Sequence, residues 1–192
     1  MNNKGHQNIL SPALDAVSRL LKEEDVKGMI IGGIAASILG RPRFTNDIDL
    51  LILDLDKRIK EFIDKLEKFD IKPRILDVNE FALQSRVLLM RHQTSGINID
   101  ISMGILPFER DAVSRSQNLN IQGQDIILPT PEDLIVFKSI SQRPIDKEDI
   151  KAIVGRNPGI NKKQILSTVR EFADLLEKKD IYQEIESILS KK

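Results

Sequence analysis

From residue 47 the chain reads acid, apolar, acid, apolar (Asp47-Ile48-Asp49-Leu50) and then continues apolar to Leu53, a pattern that constrains the fold more than any other feature. A strand turns successive side chains to opposite faces. Asp47 and Asp49 therefore project to one side, while Ile48 and Leu50 face the other. Residues 97–103 repeat the pattern, with Asn98, Asp100 and Ser102 on the polar face. Three carboxylates on neighbouring strands repel one another unless positive charge lies between them. Hard oxygen donors of this kind suit Mg²⁺ or Mn²⁺, which favour octahedral sites built from a few carboxylates plus substrate phosphates. The pattern points to phosphoryl transfer.

Composition narrows the field further. The 192 residues suffice for one well-buried domain with a small helical appendage. Lysine plus arginine total 29 and aspartate plus glutamate total 29, so no global field draws the chain to nucleic acid or membrane; a polyanionic partner needs a local basic patch. Cysteine is absent, which excludes disulfides, zinc-thiolate sites and thiol nucleophiles. Aromatic residues are 4% of the chain with no tryptophan, which argues against a stacking platform for single strands. The polar start of the chain lacks the apolar core of a signal peptide. No apolar stretch approaches the roughly 18 residues of a membrane helix. A cytoplasmic protein with no membrane partner is the expectation.

Periodicity supplies the elements. Ser11-Pro12 predicts a capped helix over 12–23, carried by Leu14, Val17 and Leu21. Met29-Ile30-Ile31 predicts a buried strand running into Gly32-Gly33, and residues 34–39 a short helix. A strand over 48–53 and a helix ending near Asp70 follow. Residues 71–76 read as an edge strand, because Pro73 interrupts them. Residues 86–92 and 97–103 read as a hairpin, 107–116 as helical, and 119–128 as a second hairpin around Gly123. Thr130-Pro131-Glu132-Asp133 carries the marks of a capping box and predicts a helix to about Ser141. A helix over 146–154 closed by Gly155 and two amphipathic tail segments complete the chain. Asn157-Pro158-Gly159 sets the expected boundary, giving 1–156 as the main domain and 157–192 as a helical segment.

Gly32-Gly33 joins an apolar strand to a short helix, where free backbone N–H groups can hold phosphate oxygens. It is not a Walker loop, since Arg41 follows Gly40 in place of Lys-Ser or Lys-Thr, nor the G-x-G-x-x-G dinucleotide fingerprint. An EF-hand is excluded because no glycine occupies the sixth loop position after Asp47 or Asp54. On a helix starting at Pro131, Lys138 shares a mostly inward face with Leu134 and Ser141. It reads either as a lysine reaching solvent or as a cation for a triphosphate, with Asp146 or Asp149 pairing with Arg143. Arg41 and Arg43 are either loop surface charges or near enough to the acids to meet a phosphate. Lys162-Lys163, Lys178-Lys179 and Lys191-Lys192 read as solvated helix ends that together could form a patch for RNA phosphates.

Taken together, Ile31-Gly32-Gly33, Asp47-Ile48-Asp49-Leu50 and Asp100 resemble the signature of the DNA polymerase beta-like nucleotidyltransferases. The stretch Arg43-Phe44-Thr45-Asn46-Asp47-Ile48-Asp49 resembles the form found in minimal nucleotidyltransferases and AbiEii-like toxins of abortive-infection systems. Pro129-Thr130-Pro131-Glu132-Asp133-Leu134, followed by Lys138, Arg143, Asp146 and Asp149, is similar to a second AbiEii-like run. Two departures stand out: Ser141 replaces alanine, and Ile145 stands where lysine is common. The resemblance covers about residues 28–154. It implies an α/β (α+β) fold, a mixed twisted sheet flanked by helices, with a short helical C-terminal region. It implies NMP transfer from an NTP to a hydroxyl of a macromolecule, a tRNA or a protein, with a cognate antitoxin as a possible partner. Asp47, Asp49 and Asp100 would be catalytic and would bind Mg²⁺ or Mn²⁺, with Asp100 as ligand or base. Gly32, Gly33, Thr45, Lys138 and Arg143 would hold the nucleotide. An antibiotic-modifying enzyme and a catalytically idle antitoxin or regulator are the alternatives.

Overall fold

The computed structural model describes residues 4–190. The chain divides into two compact units, residues 1–33 with 45–128, and residues 34–44 with 129–192. The boundary expected at Asn157 lies inside the second of these.

In the first unit, helix α1 (Lys4–Glu23) leads to strand β1 (Gly28–Ile31) and the start of α2 (Gly32–Leu39). Then come β2 (Asp47–Leu53), α3 (Ile59–Leu66), a 3₁₀ turn at Glu67–Phe69, β3 (Ile71–Pro73), α4 (Val78–Ser85), β4 (Val87–His92), β5 (Asn98–Gly104) and α5 (Pro107–Ser114). A separate hairpin, β6 (Gln117–Ile121) and β7 (Gln124–Leu128), completes it. The main sheet has the order β1-β2-β5-β4-β3, with only β2 and β5 parallel. Alternation sets its two faces. Ile48, Leu50, Ile99, Ile101, Leu88 and Met90 are fully buried on one side, while Asp47, Asp49, Asn98, Asp100, Leu89 and Arg91 share the other. This is the mixed sheet flanked by helices that the sequence implied.

The second unit joins residues 34–44 to α6 (Pro131–Ser141), α7 (Pro144–Arg156), α8 (Lys162–Leu175) and α9 (Lys179–Ser190). Thr130 caps α6 as expected, its hydroxyl oxygen accepting the Asp133 N–H at 3.1 Å. The two tail helices bury Ile165, Val169 and Ala173 on α8 and Ile181, Ile185 and Ile188 on α9, while Leu176 just past α8 is exposed. Asn157 Nδ2 donates to the Leu39 carbonyl at 2.8 Å, tying the end of α7 to the 34–44 segment.

Two expectations need correction, and one helix was not expected. Pro12 lies inside α1, which begins at Lys4; a proline removes one helical N–H, and the stripe Ala13, Val17, Leu20 and Leu21 is buried beyond it. Gly155 lies within α7, which runs on to Arg156. Helix α4 has no counterpart in the sequence reading: it buries only Val78 and Ala82, too few positions to show a period. The Lys191-Lys192 pair lies outside the described residues.

Candidate active site

Strand register decides how the acids meet. Asp49 stands opposite Asp100 on the neighbouring parallel strand, and Asp47 opposite Asn98. Directly opposed residues share a face, so all three carboxylates project to the same side of the sheet. At the end of β1, Gly32 adopts φ +64°, a conformation open to glycine and strained for other residues. A Cβ there would lie 1.8 Å from Asp49 Oδ2, so the carboxylate fills the space that a side chain would need. The Gly33 N–H points to the same oxygen at 3.4 Å. Thr45 donates its hydroxyl to Asp47 Oδ1 at 2.7 Å, which fixes the orientation of that carboxylate.

Asp100 is held by a residue that the sequence reading passed over. Arg74 follows β3, and its backbone N–H bonds to the Leu89 carbonyl. Leu89 in turn stands opposite Asp100. The Arg74 guanidinium Nη2 reaches Asp100 Oδ1 at 2.6 Å. Arg74 Nε is buried without a hydrogen-bond partner among the described residues. Partial burial raises the Asp100 pKa above the ordinary carboxylate value; Arg74 opposes this shift and Asp47 adds to it. Arg74 shares the parity of Lys72 and so the polar face. Its meeting with Asp100 depends on β4 lying beside β5 and β3 beside β4, an order no local pattern reveals.

The other expected site residues lie in the second unit. Lys138 is 3% exposed, and its ammonium pairs with Asp146 at 2.8 Å and Asp149 at 2.7 Å. Asp146 also accepts from Ser141 and, at 2.9 Å, from Arg143 Nε. Burial works against charge on Asp146, but Arg143, Lys138 and Ser141 more than offset it and hold the carboxyl well below the usual carboxylate range. Arg43 forks onto both oxygens of Asp149, with Nε at 2.9 Å and Nη2 at 3.0 Å. The Ser37 hydroxyl accepts the Arg43 N–H at 2.9 Å. The helical face assigned to Lys138 from sequence is the inward one, and there its ammonium is engaged by two carboxylates.

A family model for "Nucleotidyltransferase of unknown function (DUF6036)" matches residues 10–183. The chain belongs to this family. No curated protein matches it in sequence. Among solved structures, this nucleotidyltransferase is similar to an antigenic nucleotidyltransferase-like protein from Paracoccidioides brasiliensis, at 17% identity and TM-score 0.56 over 93% of each chain. It is also similar to the antibiotic-resistance factor ANT(2'')-Ia, at 13% identity and TM-score 0.61, over 93% of this chain and 98% of that one. At these identities the likeness shows the fold.

Nucleotidyltransferases generally use a divalent cation. Among the described residues no group of three or more histidine, cysteine or acidic side chains stands gathered as a metal cage. The donor chemistry nevertheless fits: Asp47, Asp49 and Asp100 offer hard oxygens from one face, and Arg74 occupies only Oδ1 of Asp100. No helix among the described residues is long and apolar enough to cross a membrane.

Proposed function

We propose that this nucleotidyltransferase moves a nucleoside monophosphate from an NTP to a hydroxyl group of a macromolecule. The observation that carries the reading is the opposition of Asp49 to Asp100, with Asp47 on the same face and Gly32 packed against the Asp49 carboxylate. Asp47, Asp49 and Asp100 would hold Mg²⁺ or Mn²⁺, which when bound neutralises the triphosphate and sharpens the acceptor oxygen as a nucleophile. The turn at Gly32 and Gly33 would offer phosphate oxygens the backbone N–H groups at the start of α2, the long 3.4 Å contact of the Gly33 N–H with Asp49 giving way. Thr45 keeps the Asp47 carboxylate aimed. Asp100 orients the acceptor hydroxyl and takes its proton as the oxygen bonds to the α-phosphorus and the bond to the β-phosphate oxygen breaks, releasing pyrophosphate. Lys138 and Arg143, expected at the phosphates, we assign to positioning within their ion-pair cluster, on the strength of the burial of Lys138.

The AbiEii-like motifs around Arg43–Asp49 and Pro129–Asp149 favour a tRNA or protein acceptor, as in a toxin with a cognate antitoxin. A small-molecule acceptor is the second reading, favoured by the match over nearly the whole length of the antibiotic-resistance factor. Incubation with each α-labelled NTP and Mg²⁺, in turn with total tRNA, with the protein alone and with aminoglycosides, tests the proposal. Label in tRNA or protein supports it and label in the aminoglycoside selects the second reading. No label in any arm favours the catalytically idle antitoxin or regulator.

A further inference from the structure

The polar face of the main sheet is divided by charge. One transverse row runs Asp49, Asp100, Leu89, Arg74, and the next runs Asp47, Asn98, Arg91, Lys72. All three acids sit on β2 and β5. All three cations sit on or just after β4 and β3. Sequence spacing scatters these residues over more than fifty positions; the strand order alone sorts them into an acidic half and a basic half.

The face also has a direction. The glycine turn leaves β1 at one edge of the sheet, and Arg74 and Lys72 stand at the opposite edge. With the triphosphate on the glycine side and the reacting hydroxyl at Asp100, the acceptor extends over β4 and β3. We propose that Lys72, Arg74 and Arg91 seat the backbone phosphates of a polynucleotide whose terminal hydroxyl meets Asp100. This rests on the transfer reading above and specifies its acceptor. Arg91 and Lys72 lie about one and two strand spacings from β5, roughly 5 and 10 Å, so the three cations span more than a single phosphate.

The present partners of Lys72 and Arg91 are replaceable, while Arg74 keeps one guanidinium nitrogen on Asp100. Lys72 stands 3.8 Å from Glu67, both exposed, and Arg91 Nε donates to Asn98 at 3.0 Å. Exposed pairs of this kind contribute little, whereas an arginine fork matches a phosphate closely. A polycationic acceptor would meet three like charges on this side. With aromatic residues at only 4%, the grip would come from phosphates rather than stacked bases, so it would depend on salt more than on sequence.

The test uses fluorescence anisotropy across a salt series, with single-stranded RNA and DNA probes of about ten nucleotides ending in a 3′-hydroxyl. Wild type is compared with the double variant Lys72→Gln/Arg91→Gln, both positions being exposed and outside the acid site. The variant should bind about tenfold more weakly, and its slope of log affinity against log salt should flatten by about 1.4, near 0.7 for each lost contact. Melting temperature and NTP binding should match wild type, which separates a lost contact from a lost fold. Preference for RNA or DNA identifies the strand type. Equal affinity and slope in both proteins would overturn the proposal, as would label entering the protein or an aminoglycoside while neither nucleic acid binds. The flattened slope with no nucleotide transferred to any acceptor would instead refute the transfer reading and leave the phosphate strip standing.

Discussion

The contact between Gly32 and Asp49 joins a backbone requirement to a chemical one. Any Cβ at position 32 would collide with the Asp49 carboxylate and also force a side chain to accept φ +64°. The backbone term alone costs about 1–3 kcal/mol. Gly32→Ala should therefore lower stability in urea titration by at least that amount and displace the carboxylate, with activity falling beyond what the unfolded fraction explains. A variant of wild-type stability and turnover would show that the turn tolerates a side chain. Asp47→Asn and Asp49→Asn remove charge without changing shape. Each should lose at least about a hundredfold in transfer rate and melt within a few degrees of wild type. Wild-type turnover by either pure variant contradicts the site.

At the scale of elements, α6 and α7 are joined by buried charge. Lys138 is enclosed with Asp146 and Asp149, and removing it strips each buried carboxylate of one cation, leaving Arg143 on Asp146 and Arg43 on Asp149. Lys138→Met should cost about 1–3 kcal/mol in denaturant unfolding. A variant that keeps its stability but loses NTP affinity would return Lys138 to a phosphate-binding role. Asp146 also sets a pH dependence. Its pKa in the folded chain lies below the unfolded value of about 3.9, so its contribution is present above that pH and is lost as the pH falls. Acid unfolding of wild type should steepen below about pH 4, and Asp146→Asn should flatten that limb. An equally steep limb in the variant would assign the dependence to other carboxylates.

For the molecule as a whole, formal charge is zero, so binding of any polyanion depends on where charges lie rather than on their sum. Transfer should require a divalent cation: excess EDTA should abolish it and added Mg²⁺ or Mn²⁺ restore it, and full rates in EDTA would exclude a metal role. The second unit is built from two stretches distant in sequence, with α8 packed on α6 and on α9. Deleting residues 157–192 should expose that packing and lose more helical signal by circular dichroism than the removed residues account for. A truncated chain that melts like wild type would make the tail a separable domain.

The period-two alternation around Asp47, Asp49 and Asp100 is a local property of the backbone, so one sequence suffices to show the strands and the polar face that these acids share. The Thr130 cap, the inward face of Lys138 and the turn at Gly32-Gly33 were legible for the same reason: each depends on residues within a few positions. Helix α4 escaped because two buried positions carry no period. Strand order is a long-range outcome, set by how the sheet closes over its apolar face. Only that order places Arg74 on Asp100 and lines Lys72 and Arg91 beside the acids. Likewise, folding the chain back on itself turns Lys138 toward two carboxylates, because a buried ammonium is tolerated only where opposite charge surrounds it.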